Sequence, residues 1–182
     1  MTNPTPEIIR ASIVTLKRNK EWAEKAIEQT SNANMHKRLT PETNSIVIIM
    51  KHMAGNLRSR WTDFLTTDGE KEWRDRDDEF VDDYESRDQL MDDWNSGWQC
   101  LFDALESLQE DDLAKTITIR GEKLGVMLAI QRSLGHTTYH VGQIILIARV
   151  LFEGDEWETI TIPRGESEGY NKRVWGKDQF DA

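Results

Sequence analysis

Apolar residues recur along this chain at steps of three and four in four separate stretches, the spacing that lays one face of an α-helix against a core. The first predicted helix covers residues 6–30, where Thr5-Pro6-Glu7 reads as an N-cap followed by proline at the first helical position. Ser31-Asn32-Ala33-Asn34 breaks it. Thr40-Pro41-Glu42 offers a second cap, and Ile46, Ile49, Met50, Met53, Leu57 and Phe64 then share one face of a helix over 42–65. A third helix over 86–112 opens on Ser86-Arg-Asp-Gln89, read as a capping box, and carries Leu90, Trp94, Trp98, Leu101, Leu105 and Leu108. The fourth, over 123–153, ends near Gly154, where a glycine C-cap is expected.

Residues 66–85 are polar and charged, with Asp68-Gly69 as a turn and a crowd of carboxylates from Asp75 onward, so they predict a long surface connection. A calcium loop is the sharper alternative for Asp75-Arg-Asp77-Asp78-Glu79, but its sixth position lacks glycine and its twelfth lacks glutamate. Thr116-Ile-Thr-Ile-Arg120 alternates polar and apolar residues before Gly121, as a short strand would; Thr159-Ile-Thr-Ile-Pro163 and a polar tail close the chain. The brief echo between Thr118-Ile-Arg-Gly-Glu122 and Thr161-Ile-Pro-Arg-Gly-Glu166 reads as two similar turns. Four long amphipathic helices and little strand predict an all-α four-helix bundle, one domain over residues 1–182.

Charge narrows the partners. With 33 acidic and 23 basic residues the chain carries a formal charge of −10, which repels phosphate backbones and argues against nucleic acid. The basic residues form no stripe along the sequence, and the same acidity weighs against acidic substrates. Cys100 is the only cysteine, so neither an intrachain disulfide nor a thiolate cluster is available, and no sequence neighbour would depress its pKa to make a nucleophile. Residues 1–10 lack the pattern of a secretion signal and no run of eighteen apolar residues occurs, so a soluble cytoplasmic protein without a membrane partner is expected. Seven tryptophans favour an ordered fold. Trp61, Trp73, Trp94 and Trp98 either line an apolar substrate pocket or belong to the core, and aromatic residues at helical spacing favour the core.

The candidate chemistry lies in three histidines. His136 and His140 are one turn apart on the last long helix, so both can point at one ion. Steps of three and four place Ala129, Ser133, His136, His140, Gln143, Ile147 and Val150 on one inward seam. His52, beside Ile49 and Met53 on the second long helix, adds a third imidazole, and three neutral nitrogens would hold zinc, nickel or iron with positions left open for a small-molecule substrate. Hydrogen-bonded core histidines without a metal are the alternative. His36, beside Lys37 and Arg38, reads as exposed; Gln143, one turn beyond His140, is either a donor behind that ligand or a solvated, merely hydrogen-bonded glutamine, and the second reading is favoured. Gly135, Thr138 and Gly142 form a small-residue strip that predicts a close helix contact, internal or between subunits.

Tyr139-His140-Val-Gly-Gln-Ile144 with His136 and His52, together with Lys51-His52-Met-Ala-Gly-Asn56, the Thr-Asp-Gly-Glu stretch at 67–70 and Ile162-Pro-Arg-Gly-Glu-Ser167, resembles the DinB/YfiT-like metalloenzymes, in a branch of unknown function. The resemblance implies an antiparallel four-helix bundle, His52, His136 and His140 as ligands of one divalent ion, and in many members a homodimer. It also implies two enzyme classes: an S-transferase that uses a low-molecular-weight thiol of the bacillithiol or mycothiol kind, or a metal-dependent hydrolase. A non-enzymatic metal- or ligand-binding bundle is the rival class.

Overall fold

A computed structural model describes residues 6–176. It is mostly helical, with α1 (Glu7–Glu28), the single turn α2 (Asn32–Met35), α3 (Ile46–Trp61), α4 (Arg87–Ser107), α5 (Val126–Val150), α6 (Ser167–Val174) and a two-stranded sheet of β1 (Thr116–Ile119) and β2 (Glu122–Gly125). Among the long helices, α3 packs along α4 and α1 along α5, while α3–α5 and α1–α4 contacts join the two pairs. Leu16, Ile27, Met53, Trp94, Trp98, Leu101 and Ile144 are fully buried between them. A buried side chain of this size contributes about 1.5–3 kcal/mol.

Helix ends differ from expectation for local reasons. Thr5 lies outside the described residues, and Pro6 occupies the N-cap position of α1 without a side-chain cap. Thr40 and Thr43 bond each other in a turn instead of starting a helix. Ser45 caps α3, its Oγ accepting from the Ile48 N–H at 3.3 Å. The first helix ends before Ser31 as expected, but residues 32–35 form the single turn α2, with Ser31 as its cap. Ser86 accepts from the Gln89 N–H as a capping box requires, but the Gln89 amide oxygen reaches back one residue further, to the Glu85 N–H. Two expected helical ends are not helical: α4 stops at Ser107 and a 3₁₀ segment, Glu110–Ala114, follows, while residues 122–125 pair as β2 before α5 begins. The C-cap of α5 is Leu151, not Gly154, and no strand forms around residues 159–163.

The predicted seam on α5 is rotated. Its buried residues are Val126, Ala129, Ile130, Thr137, Val141, Ile144, Ile147 and Ala148, so Val150 is exposed and His136 and His140 sit at the edge of the core stripe. The glycines of the small-residue strip make no internal contact, since a Cβ at Gly135 or Gly142 would meet nothing within 4 Å. Thr138 does bond inward, accepting from the Asn19 side-chain amide of α1 at 2.9 Å. Trp94 donates its indole N–H to Glu24, whereas the buried Trp98 N–H has no partner among the described residues.

The hairpin is clamped to the connection after α3. Arg120 and Gly121 both adopt positive φ, 56° and 75°, as a two-residue turn between paired strands demands. The Asp68 carboxylate accepts from both their backbone N–H groups, at 2.8 and 2.9 Å, and from the Glu70 N–H at 2.7 Å. Those backbone donors, Gly121 first, hold the Asp68 carboxyl far below the usual carboxylate range. Gly69 N–H also bonds the Thr118 carbonyl at 2.8 Å.

Gly97 marks a close approach of α4 to the α3 backbone: a Cβ there would lie 2.7 Å from the Ala54 Cα. Overpacking against backbone costs about 1–3 kcal/mol, more than the roughly 1 kcal/mol that alanine gains in helix propensity. Gly97→Ala is therefore expected to lower the thermal midpoint, measured by circular dichroism; an unchanged or raised midpoint would contradict the packing.

Candidate metal centre

His52 is buried on the apolar face of α3, and His136 and His140 rise one above the other at the edge of α5. The packing of α3 on α5 brings all three together, with one ring nitrogen of each within 4.8 Å of the others. The His52 and His136 Nε2 atoms are 3.2 Å apart. Two nitrogens bound at about 2.0–2.1 Å to one tetrahedral ion stand at about the same separation.

The atoms behind the rings fix which nitrogen faces inward. His52 Nδ1 lies 3.0 Å from the Glu79 carboxylate, an acceptor, and therefore donates to it, which turns Nε2 toward the other histidines. His140 Nδ1 lies 2.8 Å from the Gln143 amide oxygen, with the same consequence. Gln143, for which the sequence favoured a solvated role, instead stands behind His140, with its amide nitrogen 3.2 Å from the Tyr139 hydroxyl. Burial pushes His136 down to about 3, helped by His140, His52 and the positive charges of Arg74 and Arg60. Burial first and His52 second push His140 to about 4, against the opposing Gln143 hydrogen bond. Both imidazoles are thus neutral at neutral pH, the form that ligates metal.

Residues 66–85 form the long surface connection expected, but one turn of it reaches inward. The 3₁₀ turn Asp78–Phe80 folds over α3 and delivers two side chains to His52: the Glu79 carboxylate at Nδ1, and the Phe80 ring stacked at 5.3 Å between centroids. Arg74 holds the other side of Glu79, donating from Nε at 2.7 Å and from Nη2 at 2.9 Å. Burial pushes the Glu79 carboxyl up, but hydrogen bonds from His52 and Arg74 outweigh it and leave it below its ordinary value. Gly55, three residues after His52, makes room for the carboxylate, since a Cβ there would stand 2.3 Å from Glu79 Oε1. Neighbouring carboxylates have partners of their own: Lys51 pairs with Asp78 at 3.0 Å and Asp83 at 2.7 Å, and His36 Nδ1 lies 2.9 Å from Asp82. They do not converge as calcium ligands would.

Other singled-out residues lie apart. Cys100 is half-buried 3.4 Å from the Thr62 hydroxyl. Trp94 and Trp98 are core, Trp73 is exposed, and only Trp61 among the four tryptophans lines a cavity beside the histidines. No helix among the described residues is long and apolar enough to cross a membrane.

Residues 4–166 match the model of a protein family described as a protein of unknown function, DUF1572. No curated protein and no solved structure matches the chain.

The Arg74–Glu79 pair is a buried one, with side chains 2 % and 6 % exposed. Removing one member of such a pair costs about 3–5 kcal/mol, because the other is left buried and uncompensated. Arg74→Met and Glu79→Gln are each expected to destabilise in urea titrations, and the double variant to lose clearly less than the sum. Additive losses would show that the two side chains are energetically independent.

Proposed function

The chain belongs to the DUF1572 family, and on that premise we propose that it is a divalent-metal-dependent enzyme of the DinB/YfiT-like kind, an antiparallel four-helix bundle in which His52, His136 and His140 are the ligands. One observation carries this reading: three imidazoles converge while Glu79 and Gln143 take the outward nitrogens of two of them, the arrangement that orients histidines on a metal. The donor set of three neutral nitrogens suits zinc or nickel, and iron as well. A bound ion supplies Lewis acidity and lowers the pKa of water or of a thiol at its open position.

The chain's own residues supply the rest. Glu79 and Phe80 fix the plane of His52, and Gln143 fixes that of His140. Trp61 and Phe64, stacked at 4.4 Å, wall the adjoining cavity with apolar surface and keep water from that side. Among the described residues that line this cavity there is no carboxylate, and apart from the histidines none of their side chains is suited to take a proton from water. A nucleophile that ionises readily, such as a thiol, fits that surrounding better than water does, which favours the S-transferase class over the hydrolase.

Elemental analysis of tag-free protein is expected to find about one equivalent of zinc, nickel or iron, and His52→Ala, His136→Ala and His140→Ala each to lose it; metal content unchanged in all three defeats the reading. Gly55→Ala is a finer probe. The substitution displaces Glu79 from His52 at a cost in stability that the roughly 1 kcal/mol gain in helix propensity only partly offsets, so metal affinity should drop about 10–100-fold in a competition titration run where circular dichroism shows the helices intact.

For the reaction class, an alkylating electrophile such as monobromobimane should be consumed faster with bacillithiol, mycothiol or glutathione plus metal-loaded protein than with thiol alone. A rate equal to the protein-free control for all three thiols sinks the transferase reading.

A further inference from the structure

The basic residues that form no stripe along the sequence are gathered by the fold. A cavity of about 240 Å³ opens beside His52 and His136, and Arg60, Arg76, Arg120 and Arg132 all line it. They come from α3, the connection after it, the β1–β2 turn and α5, so distant parts of the sequence converge here. In a chain of net charge −10, the lining contains, among the described residues, four arginines and no aspartate or glutamate. Low-dielectric walls lined by one sign of charge concentrate the field and draw in ligands of the opposite sign.

Two of the four guanidinium groups are committed. Glu70 accepts from Arg60 Nη2 at 3.0 Å and from Arg120 Nε at 2.9 Å, which fixes both at the cavity wall. Arg76 and Arg132 are exposed at the cavity and have no hydrogen-bond or ion-pair partner among the described residues. The half-buried Asn56 amide, between His52 and Arg60 on the same face of α3, has none either. Unpaired guanidinium forks suit carboxylate or phosphate oxygens, which they can grip with two parallel hydrogen bonds.

Helical rise sets the scale. At about 1.5 Å per residue, Arg60 lies roughly 12 Å along α3 from His52, and Arg132 roughly 6 Å along α5 from His136. The wall between them is apolar, formed by Trp61, Phe64 and Ile119, and the Trp61 indole is held by its hydrogen bond to the Ser133 hydroxyl at 3.3 Å.

We propose that this cavity is the substrate site and that its substrate is a small organic anion. A carboxylate or phosphate is held by Arg76 and Arg132, an apolar or aromatic body lies against Trp61 and Phe64, and the opposite end reaches His52 and His136, the side of the histidine cluster that lines the cavity. The assignment rests on the histidines being the reacting centre. It reverses what overall charge implies, because the acidity of the chain lies elsewhere while this cavity is basic.

The test uses zinc-loaded full-length protein and calorimetric titration with phenyl phosphate, phenylacetate and the uncharged phenylacetamide. At least one anion should bind tenfold or more tighter than the amide, with an affinity that falls as salt rises, and the preferred anion identifies the oxyanion class. Arg76→Glu combined with Arg132→Glu, both at exposed positions, should weaken that anion at least tenfold while zinc content and the melting curve stay as in wild type. Equal binding of anions and amide, or a double variant that binds the anion like wild type, overturns the proposal even where zinc is retained. If the protein takes up no zinc, the same titrations on the apo form separate the two readings: arginine-dependent anion binding then supports this site while the metal reading alone fails.

Discussion

A carboxylate removed from water must be compensated on every side, and the burial of Glu79 organises the region around the histidines. His52 and Arg74 approach it from opposite directions, and Gly55 leaves the space in which it sits. Each condition constrains a different piece of chain: α3 must carry glycine in its interior, and the connection must fold back so that Arg74 and Glu79 meet above it. Loss of any one leaves a buried charge without its partners, an arrangement costlier than never having buried it. The orientation of His52 follows from that compensation, because the ring must present Nδ1 to the carboxylate and hence Nε2 to His136.

The periodic parts of this architecture were legible in the sequence. Apolar steps of three and four located all four long helices, and the His52, His136 and His140 set was named from those faces and from a family resemblance; the fold brings the three rings together. Boundaries were harder because they depend on hydrogen bonds that periodicity does not encode. Thr40 resembles a cap as much as Ser45 does, and residues 122–125 look helical until β1 pairs with them. Glu79 was hidden for a different reason. It stands in a run of acidic residues, and only Arg74 and His52, brought near by tertiary folding, distinguish it from its solvated neighbours.

Overall charge was the least informative quantity for the site. A sum over the chain records how many ions of each sign are present, but recognition depends on where they are placed. Here Glu70 anchors Arg60 and Arg120, while Lys51, Asp78 and Asp83 neutralise one another on the face of α3 beneath the connection. The Asp68 clamp on the hairpin turn has a similar role, because it keeps Arg120 in a backbone conformation that arginine seldom adopts.

The distance in sequence between the inward nitrogens has a bearing on how the molecule matures. His52 is 27 residues from Glu79 and 84 from His136, so the cluster cannot exist in any local fragment of the chain. Closing such spans carries an entropic cost that the core, not the histidines, must overcome first. The imidazoles therefore come together only once α3 and α5 have docked and the connection has folded down. A molecule with helices formed but undocked has only the ordinary His136–His140 pair, so a ligand that needs all three imidazoles would distinguish the finished protein from a nascent or damaged one.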